Sequence, residues 1–166
     1  MGNFVLLDWI RICLIAILVY LAYYDLRTFR LPDVITLPLI LLGLLFNSLS
    51  NQRFISSQDA IIGAILGYSC LWLLNLLYRT VKKQDGIGMG DAKLLAALGA
   101  WLGWFALPSI LLMASLTGLI GGIIWLQWNK QSHRSAFPFG PFLAIAGIIE
   151  LLWPQTLQTL LLSKLV

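Results

Sequence analysis

An all-α, polytopic membrane helix bundle is the fold class this sequence predicts, on three observations. Hydrophobic residues make up 60% of the 166-residue chain and charged residues only 11%, where a soluble domain averages about 25% charged. The mean hydropathy of +0.88 means more apolar surface than one aqueous core can hide, so lipid is the solvent. Six apolar segments follow one another with short polar breaks, most of them near the ~20 residues a helix needs to cross a bilayer. Residues 1–166 then read as a single membrane-embedded domain.

The first segment runs from about Phe4 to Tyr24, with Asp8 and Arg11 three apart and so able to pair on one helix face near the outer interface. The second, Val34 to Leu49, is somewhat short and is followed by the polar stretch Asn51–Asp59. The third spans Ala60 to Tyr78 and the fourth Ala92 to Leu107. Pro108 marks a tight turn before a fifth from Ser109 to Trp128. The sixth runs from Pro141 to Leu162, with Pro154 as a kink or early end. Glycines at four-residue spacing, Gly63/Gly67, Gly99/Gly103 and Gly118/Gly122, let helix backbones approach closely in lipid and are expected to pack within the bundle. Trp101, Trp104, Trp125, Trp128 and Trp153 suit interfaces or packing.

The net charge is +4. Basic residues beside membrane helices follow the positive-inside rule, so nucleic acid is not an expected partner. With the N-terminus outside, the inner loops hold Arg27, Arg30, Arg79, Lys82, Lys83, Lys93, Lys130 and Arg134, and the outer side keeps Arg11, Arg53 and Lys164. Eight against three puts both termini outside. No cleaved signal peptide is expected, because the first segment has Asp8 and Arg11 but no basic leader and no small-residue cleavage pattern. Cys13 and Cys70 lie in apolar stretches without Cys-x-x-Cys spacing and read as small buried hydrophobes.

Ionisable groups at membrane depth each need a reason. Three acids qualify: Asp25, Asp91 and Glu150. Asp25 ends the first helix and Asp91 begins the fourth, so this topology brings both to the cytoplasmic face. Two carboxylates at short range cannot both ionise cheaply and share a proton. The ionised member can activate a water while the protonated one polarises a carbonyl, the acid–base division used in aspartic peptide hydrolysis. With one His and no metal-ligand cluster, no metal or cofactor is expected. Gly86, Gly88 and Gly90 alternate before Asp91, and such a loop lets an extended peptide come close; a flexible connector is the plainer alternative. No strand precedes the loop and no Gly-Lys-Ser/Thr follows, against a phosphate loop. Asp33 is placed to cap the second helix or touch substrate. Lys93 is expected to anchor at the interface, or else to lower the pKa of a nearby carboxylate, His133 to be solvated, and Glu150 to be structural, far from the cytoplasmic face.

Gly88-Met89-Gly90-Asp91 matches the Gly-x-Gly-Asp motif of intramembrane aspartyl proteases. The run from Gly88 to Gly103 is similar to the bacterial type IV prepilin peptidase family. Asp25-Leu-Arg-Thr-Phe-Arg-Leu-Pro-Asp33 resembles that family's first-aspartate region, and Phe137-Pro138-Phe139-Gly140-Pro141-Phe142-Leu143-Ala144 resembles its Pro-Phe-Gly-Pro segment. Three motifs in the right order are far more specific than one. The resemblance implies a leader peptidase with Asp25 and Asp91 as the catalytic pair and Gly86, Gly88, Gly90, Asp33, Pro138 and Gly140 around the substrate. It would cleave prepilins or pseudopilins after a Gly at the cytoplasmic face of the inner membrane, for a type IV pilus or type II secretion system. The full-length bacterial enzymes carry an N-terminal cytoplasmic extension with paired Cys-x-x-Cys motifs, which accompanies N-methylation from S-adenosylmethionine. This chain begins almost at the first catalytic helix, so zinc binding is not expected and no methyl-donor site can be named. Short family members, including archaeal preflagellin peptidases, operate with such a six-helix core. Two other functions fit the composition: an inactive relative that binds prepilins, and a proton-coupled transporter using Asp91 and Glu150. The residues leave the oligomeric state open.

Overall fold

The computed structural model describes residues 2–50, 53–83, 88–129 and 138–154. Within them are six helices: α1 (Gly2–Thr28), α2 (Asp33–Leu49), α3 (Ser57–Lys82), α4 (Met89–Leu102), α5 (Leu107–Asn129) and α6 (Gly140–Leu152), with one 3-10 turn at Trp104–Ala106. Among the described residues three stretches are long and apolar enough to cross a membrane, Leu6–Thr28, Ser57–Lys82 and Trp104–Ile124, while Asp33–Leu49 and Gly140–Leu152 are shorter apolar helices. The chain is an all-α membrane helix bundle.

The bundle is built around α4. Every residue from Leu94 to Trp101 is buried, and α4 touches α2, α3, α5 and α6. At 1.5 Å per residue it is about 21 Å long, less than the ~30 Å hydrocarbon core. The expected fourth span to Leu107 is therefore corrected: the helix stops at Leu102, because Gly103 adopts φ +84 and its N–H closes onto the Gly99 carbonyl at 2.9 Å. A positive φ of this kind suits glycine alone. The turn thus falls at Gly103, and Pro108, the second residue of α5, starts a helix where its missing N–H is harmless.

Close packing of α3 on α4 depends on glycine. A Cβ on Gly63 would run into the Gly99 carbonyl oxygen, one on Gly99 into the Gly63 carbonyl oxygen, and one on Gly67 would come within 2.6 Å of the Leu95 carbonyl oxygen. The expected packing of Gly63, Gly67 and Gly99 inside the bundle is what the structure shows. On α5, Gly118 meets Phe139 at 3.4 Å.

One end of the bundle is tied by polar contacts. The buried Asn47 donates to the Ala100 carbonyl (2.9 Å) and accepts from the Phe54 N–H (3.0 Å), and Trp101 Nε1 donates to the Leu39 carbonyl (2.9 Å). The Asn47 bond satisfies a carbonyl that α4's last turn leaves without an intrahelical partner. Ser56 caps α3 by accepting from the Asp59 N–H at 3.1 Å, and Trp104 Nε1 donates to the Asp59 carboxylate at 3.0 Å. Arg11 reaches Asp8 at 3.5 Å, as the spacing predicts, and lies 5.6 Å from the Phe54 ring centroid. Trp101 stacks on Phe46 and is a packing residue, whereas Trp153 is exposed; the side chains of Trp125 and Trp128 lie outside the described residues.

One further expectation changes. Cys13 and Cys70 are exposed rather than buried, on surfaces a bilayer would cover. The sixth helix ends at Leu152, just ahead of Pro154, the early end of the two alternatives the proline offered.

Candidate active site

The end opposite Asn47 holds the two aspartates. Asp25 sits in the last turn of α1. That helix stops because Phe29 turns to φ +54 and its N–H returns to the Asp25 carbonyl at 2.8 Å. The Thr28 hydroxyl donates to the carbonyls of Tyr24 (2.9 Å) and Arg30 (3.0 Å), tightening the same turn. A phenylalanine in the left-handed region costs on the order of 1–3 kcal/mol, so surrounding contacts must hold it. Pro32 then fixes extended backbone ahead of α2. Asp91 lies in the first turn of α4, where its N–H donates to the Gly88 carbonyl at 3.1 Å and the helix dipole favours a carboxylate.

Residues 66 positions apart in sequence are thereby brought to one point, and Gly140 marks it. A Cβ built on this first residue of α6 would stand 2.7 Å from Asp25 Oδ2 and 3.3 Å from Asp91 Oδ1. The two oxygens are no further apart than those distances laid end to end. The Gly140 N–H faces the Asp25 carboxylate, and the two carboxyl groups interact coulombically. Asp25 is 4% exposed and Asp91 8%. Among the described residues Asp25 Oδ2 has no hydrogen-bond partner, so it is free to take a proton or a water. Buried carboxyls so disposed can share one proton, leaving an acid and a base on either side of a scissile carbonyl.

The other expected site residues fall as follows. Gly88 is the N-cap of α4, its hypothetical Cβ an ordinary 3.5 Å from Asp91 Oδ2. Gly90 makes room for a neighbour, since a Cβ there would come within 2.9 Å of the Leu31 Cβ and 3.3 Å of the Leu31 N. Pro138 is buried beside the start of α6. Gly86, Phe137 and His133 lie outside the described residues. Asp33 does not cap the second helix, the first of the two roles expected of it. It is the first residue of α2, Pro32 holds the N-cap position without a side-chain cap, and the Asp33 carboxylate receives Lys93 Nζ at 2.6 Å. Lys93 is thus an ion-pair partner rather than a simple interface anchor. Sequence reasoning missed Leu31 and, although it offered a carboxylate as one partner for Lys93, did not identify Asp33 as that carboxylate; both contacts connect loop to helix across about sixty positions. The Gly90–Leu31 contact could have been sought from the unexplained second glycine of Gly-x-Gly; nothing local names Asp33 as the partner.

The burial and bonding of Glu150 are consistent with the structural role expected of it. It is 3% exposed and accepts from the Ser109 hydroxyl at 2.7 Å. It stands ten residues along α6 from Gly140, about 15 Å at helical rise, too far for direct exchange with Asp91.

Comparison with known proteins agrees with these motifs. The model of the type IV leader peptidase family matches residues 12–123. A protein of Aeromonas hydrophila named prepilin leader peptidase/N-methyltransferase is 49% identical over 141 residues, 85% of this chain and 48% of its own length. The protein of that name in Aeromonas salmonicida strain A449 is 47% identical over 149 residues, 90% of this chain and 50% of its own. The one in Pseudomonas aeruginosa PAO1 is 49% identical over 123 residues, 74% of this chain and 42% of its own. The chain spans about half the length of the curated relatives it matches. No solved structure matches. The family model covers Asp25, Asp91, the larger part of α1 and all of α4, and the chain belongs to the type IV leader peptidase family.

Proposed function

We propose that this protein is an aspartic endopeptidase that removes the leader of prepilins or pseudopilins, with Asp25 and Asp91 as its catalytic pair. The observation that carries this function is that both carboxylates crowd the same face of Gly140, where a Cβ would stand 2.7 Å from one carboxylate oxygen and 3.3 Å from the other. The ionised aspartate takes a proton from water as the oxygen attacks the scissile carbonyl. The protonated one donates to the carbonyl oxygen, giving a tetrahedral diol; as the C–N bond breaks, the proton gained in the first step goes to the leaving amine and a hydroxyl proton of the diol returns to the aspartate that gave one up. Both groups return to the starting state with one peptide bond hydrolysed.

The substrate's apolar segment packs beside the bundle in lipid and its basic leader stays in the cytoplasm, with both chain termini outside. The charge bias of eight inner against three outer basic residues supports this orientation. The scissile bond then meets the aspartates at the inner membrane boundary. A glycine just before that bond eases the unwinding that attack requires, since Gly weakens a helix. Gly88, Pro138 and Gly140 border the approach of the unwound peptide; Gly90 and Asp33 act through protein contacts instead, and Gly86 keeps its substrate role on its spacing before Asp91 in the sequence alone. Hydrolysis by the pair needs no metal.

The test is leader removal from a co-expressed prepilin, read by mass spectrometry, which also reports any added methyl group. Asp25→Asn and Asp91→Asn are each expected to lower cleavage by about 10²–10⁴-fold or more while the protein stays folded in detergent. Full processing by either variant would exclude the pair. A protein that only binds prepilins would leave the leader uncut in the unsubstituted chain as well.

A further inference from the structure

We propose that the Lys93–Asp33 ion pair is a positioning clasp that sets the separation of Asp25 and Asp91. The two partners sit on the segments that carry the aspartates. Lys93 is two residues beyond Asp91 on α4. Asp33 opens α2, eight residues after Asp25, and only the turn from Phe29 to Pro32 separates α2 from the end of α1. Their 2.6 Å contact joins the two segments directly.

Three features show that this join matters at the site. First, the Asp25 carboxylate faces the Gly140 N–H, but among the described residues its Oδ2 has no hydrogen-bond partner, so α6 holds one side of the group and nothing from α4 holds the other. Its place therefore depends on where the end of α1 and the following turn are held. Second, that turn contains Phe29 at φ +54, a conformation a non-glycine residue keeps only when its surroundings impose it. Third, the turn touches α4 at a second point, where Leu31 fills the space that the missing Cβ of Gly90 leaves. Leu31 on Gly90 supplies the contact, and Asp33 on Lys93 supplies direction and register, because a charge-assisted hydrogen bond is short and oriented.

The polar ties between α2 and α4 lie at both ends of the pair of helices. At the far end Asn47 donates to the Ala100 carbonyl at 2.9 Å, and part-way along α2 the Leu39 carbonyl accepts from Trp101 Nε1 at 2.9 Å. At the aspartate end the clasp is the tie. Loss of the clasp leaves the far end packed, so the bundle folds while the α1–α2 turn moves relative to Asp91. Lys93 and Asp33 are positioning residues, acting through the aspartates and not on the substrate.

The test has two arms. The kinetic arm rests on the peptidase function proposed above, and uses purified protein in detergent with a prepilin. Lys93→Met and Asp33→Asn are each expected to lower kcat by roughly 10- to 100-fold, the scale of a misplacement near 1 Å, with KM little changed. The reversed pair, Asp33→Lys with Lys93→Asp, is expected to recover most of that loss. A raised KM at unchanged kcat, or no recovery in the reversed pair, overturns the clasp in favour of a direct substrate contact. The second arm does not depend on activity. Asp25→Cys and Asp91→Cys are introduced together after Cys13→Ser and Cys70→Ser, since both native thiols are exposed. The rate of bridging by a short bifunctional thiol reagent is expected to fall several-fold when Lys93→Met is added and to return with the reversed pair. An unchanged bridging rate overturns the clasp. If the unsubstituted protein leaves prepilin uncut, the peptidase function fails and the bridging arm still decides the clasp.

Discussion

At the residue scale the site turns on the absence of one side chain. Gly140 lies against both aspartates because nothing occupies the place of its Cβ, which would fall 2.7 Å from Asp25 Oδ2 and 3.0 Å from Asp25 Cγ. Gly140→Ala must therefore push Asp25 aside. The expected outcome is a fall in kcat of about 10²-fold with little change in helix content, read by leader cleavage alongside circular dichroism. Gly88→Ala meets Asp91 Oδ2 at an ordinary 3.5 Å, and the expected loss is smaller. The pair also dictates the form of the pH profile. Only the singly protonated pair holds an acid and a base together, so kcat/KM is expected to rise as the first proton leaves and fall as the second does, and both apparent pKa values belong to the pair. A flat profile across the range where carboxyl groups titrate would count against a shared proton. Much of this site is legible in the sequence. Asp25 and Asp91 stand out because acids near membrane depth need a reason, and the helix order carries them to one end. The geometry at Gly140 is not legible, since a Pro-Phe-Gly-Pro segment does not reveal which atoms its glycine faces.

At the element scale, α4 is short, sheathed and held close to α3 by paired glycines. A Cβ at Gly63 or Gly99 meets the backbone carbonyl of the other helix, and backbone cannot rotate away as a side chain can. Gly99→Ala is expected to destabilise the bundle by about 1–3 kcal/mol, read as a lower melting temperature in detergent. Gly122→Ala, at the third of the glycine pairs, is the comparison and is expected to cost less. The four-residue spacing makes this contact readable from the chain, because close approach in lipid selects small residues at that interval. The end of α4 is misjudged from sequence for a physical reason. Proline is the more visible breaker, so Pro108 draws the boundary, yet it is harmless in the first turn of α5 and the chain turns at Gly103. The Lys93–Asp33 pair is hidden for another reason. Hydropathy places a lysine near an interface equally well whether it is solvated or paired, and only the folded path of the α1–α2 turn brings the acid to it.

At the scale of the whole molecule, polar features collect at two ends separated by an apolar girdle. Asp25, Asp91, Gly140, Asp33 and Lys93 mark one end. Asn47, Ser56, Asp59 and Trp104 mark the other, joined there by Arg11 through its contact with Phe54. Exposed leucines and isoleucines along α1, α2, α3 and α5 form the surface between them, where burial by lipid replaces burial by protein. The proposed orientation puts the aspartate end in the cytoplasm, and thiol labelling tests it directly. In a chain with Cys13→Ser and Cys70→Ser, a cysteine at Arg53, exposed in the loop between α2 and α3, should react with a membrane-impermeant reagent added outside spheroplasts. A cysteine at Lys83, exposed at the other end of α3, should react only after the membrane is opened. Because α3 spans from one position to the other, the two results must be opposite whichever way the bundle sits. Labelling of Lys83→Cys from outside would place the aspartates on the outer face, away from a cytoplasmic leader, and would exclude leader cleavage at the inner boundary by this pair.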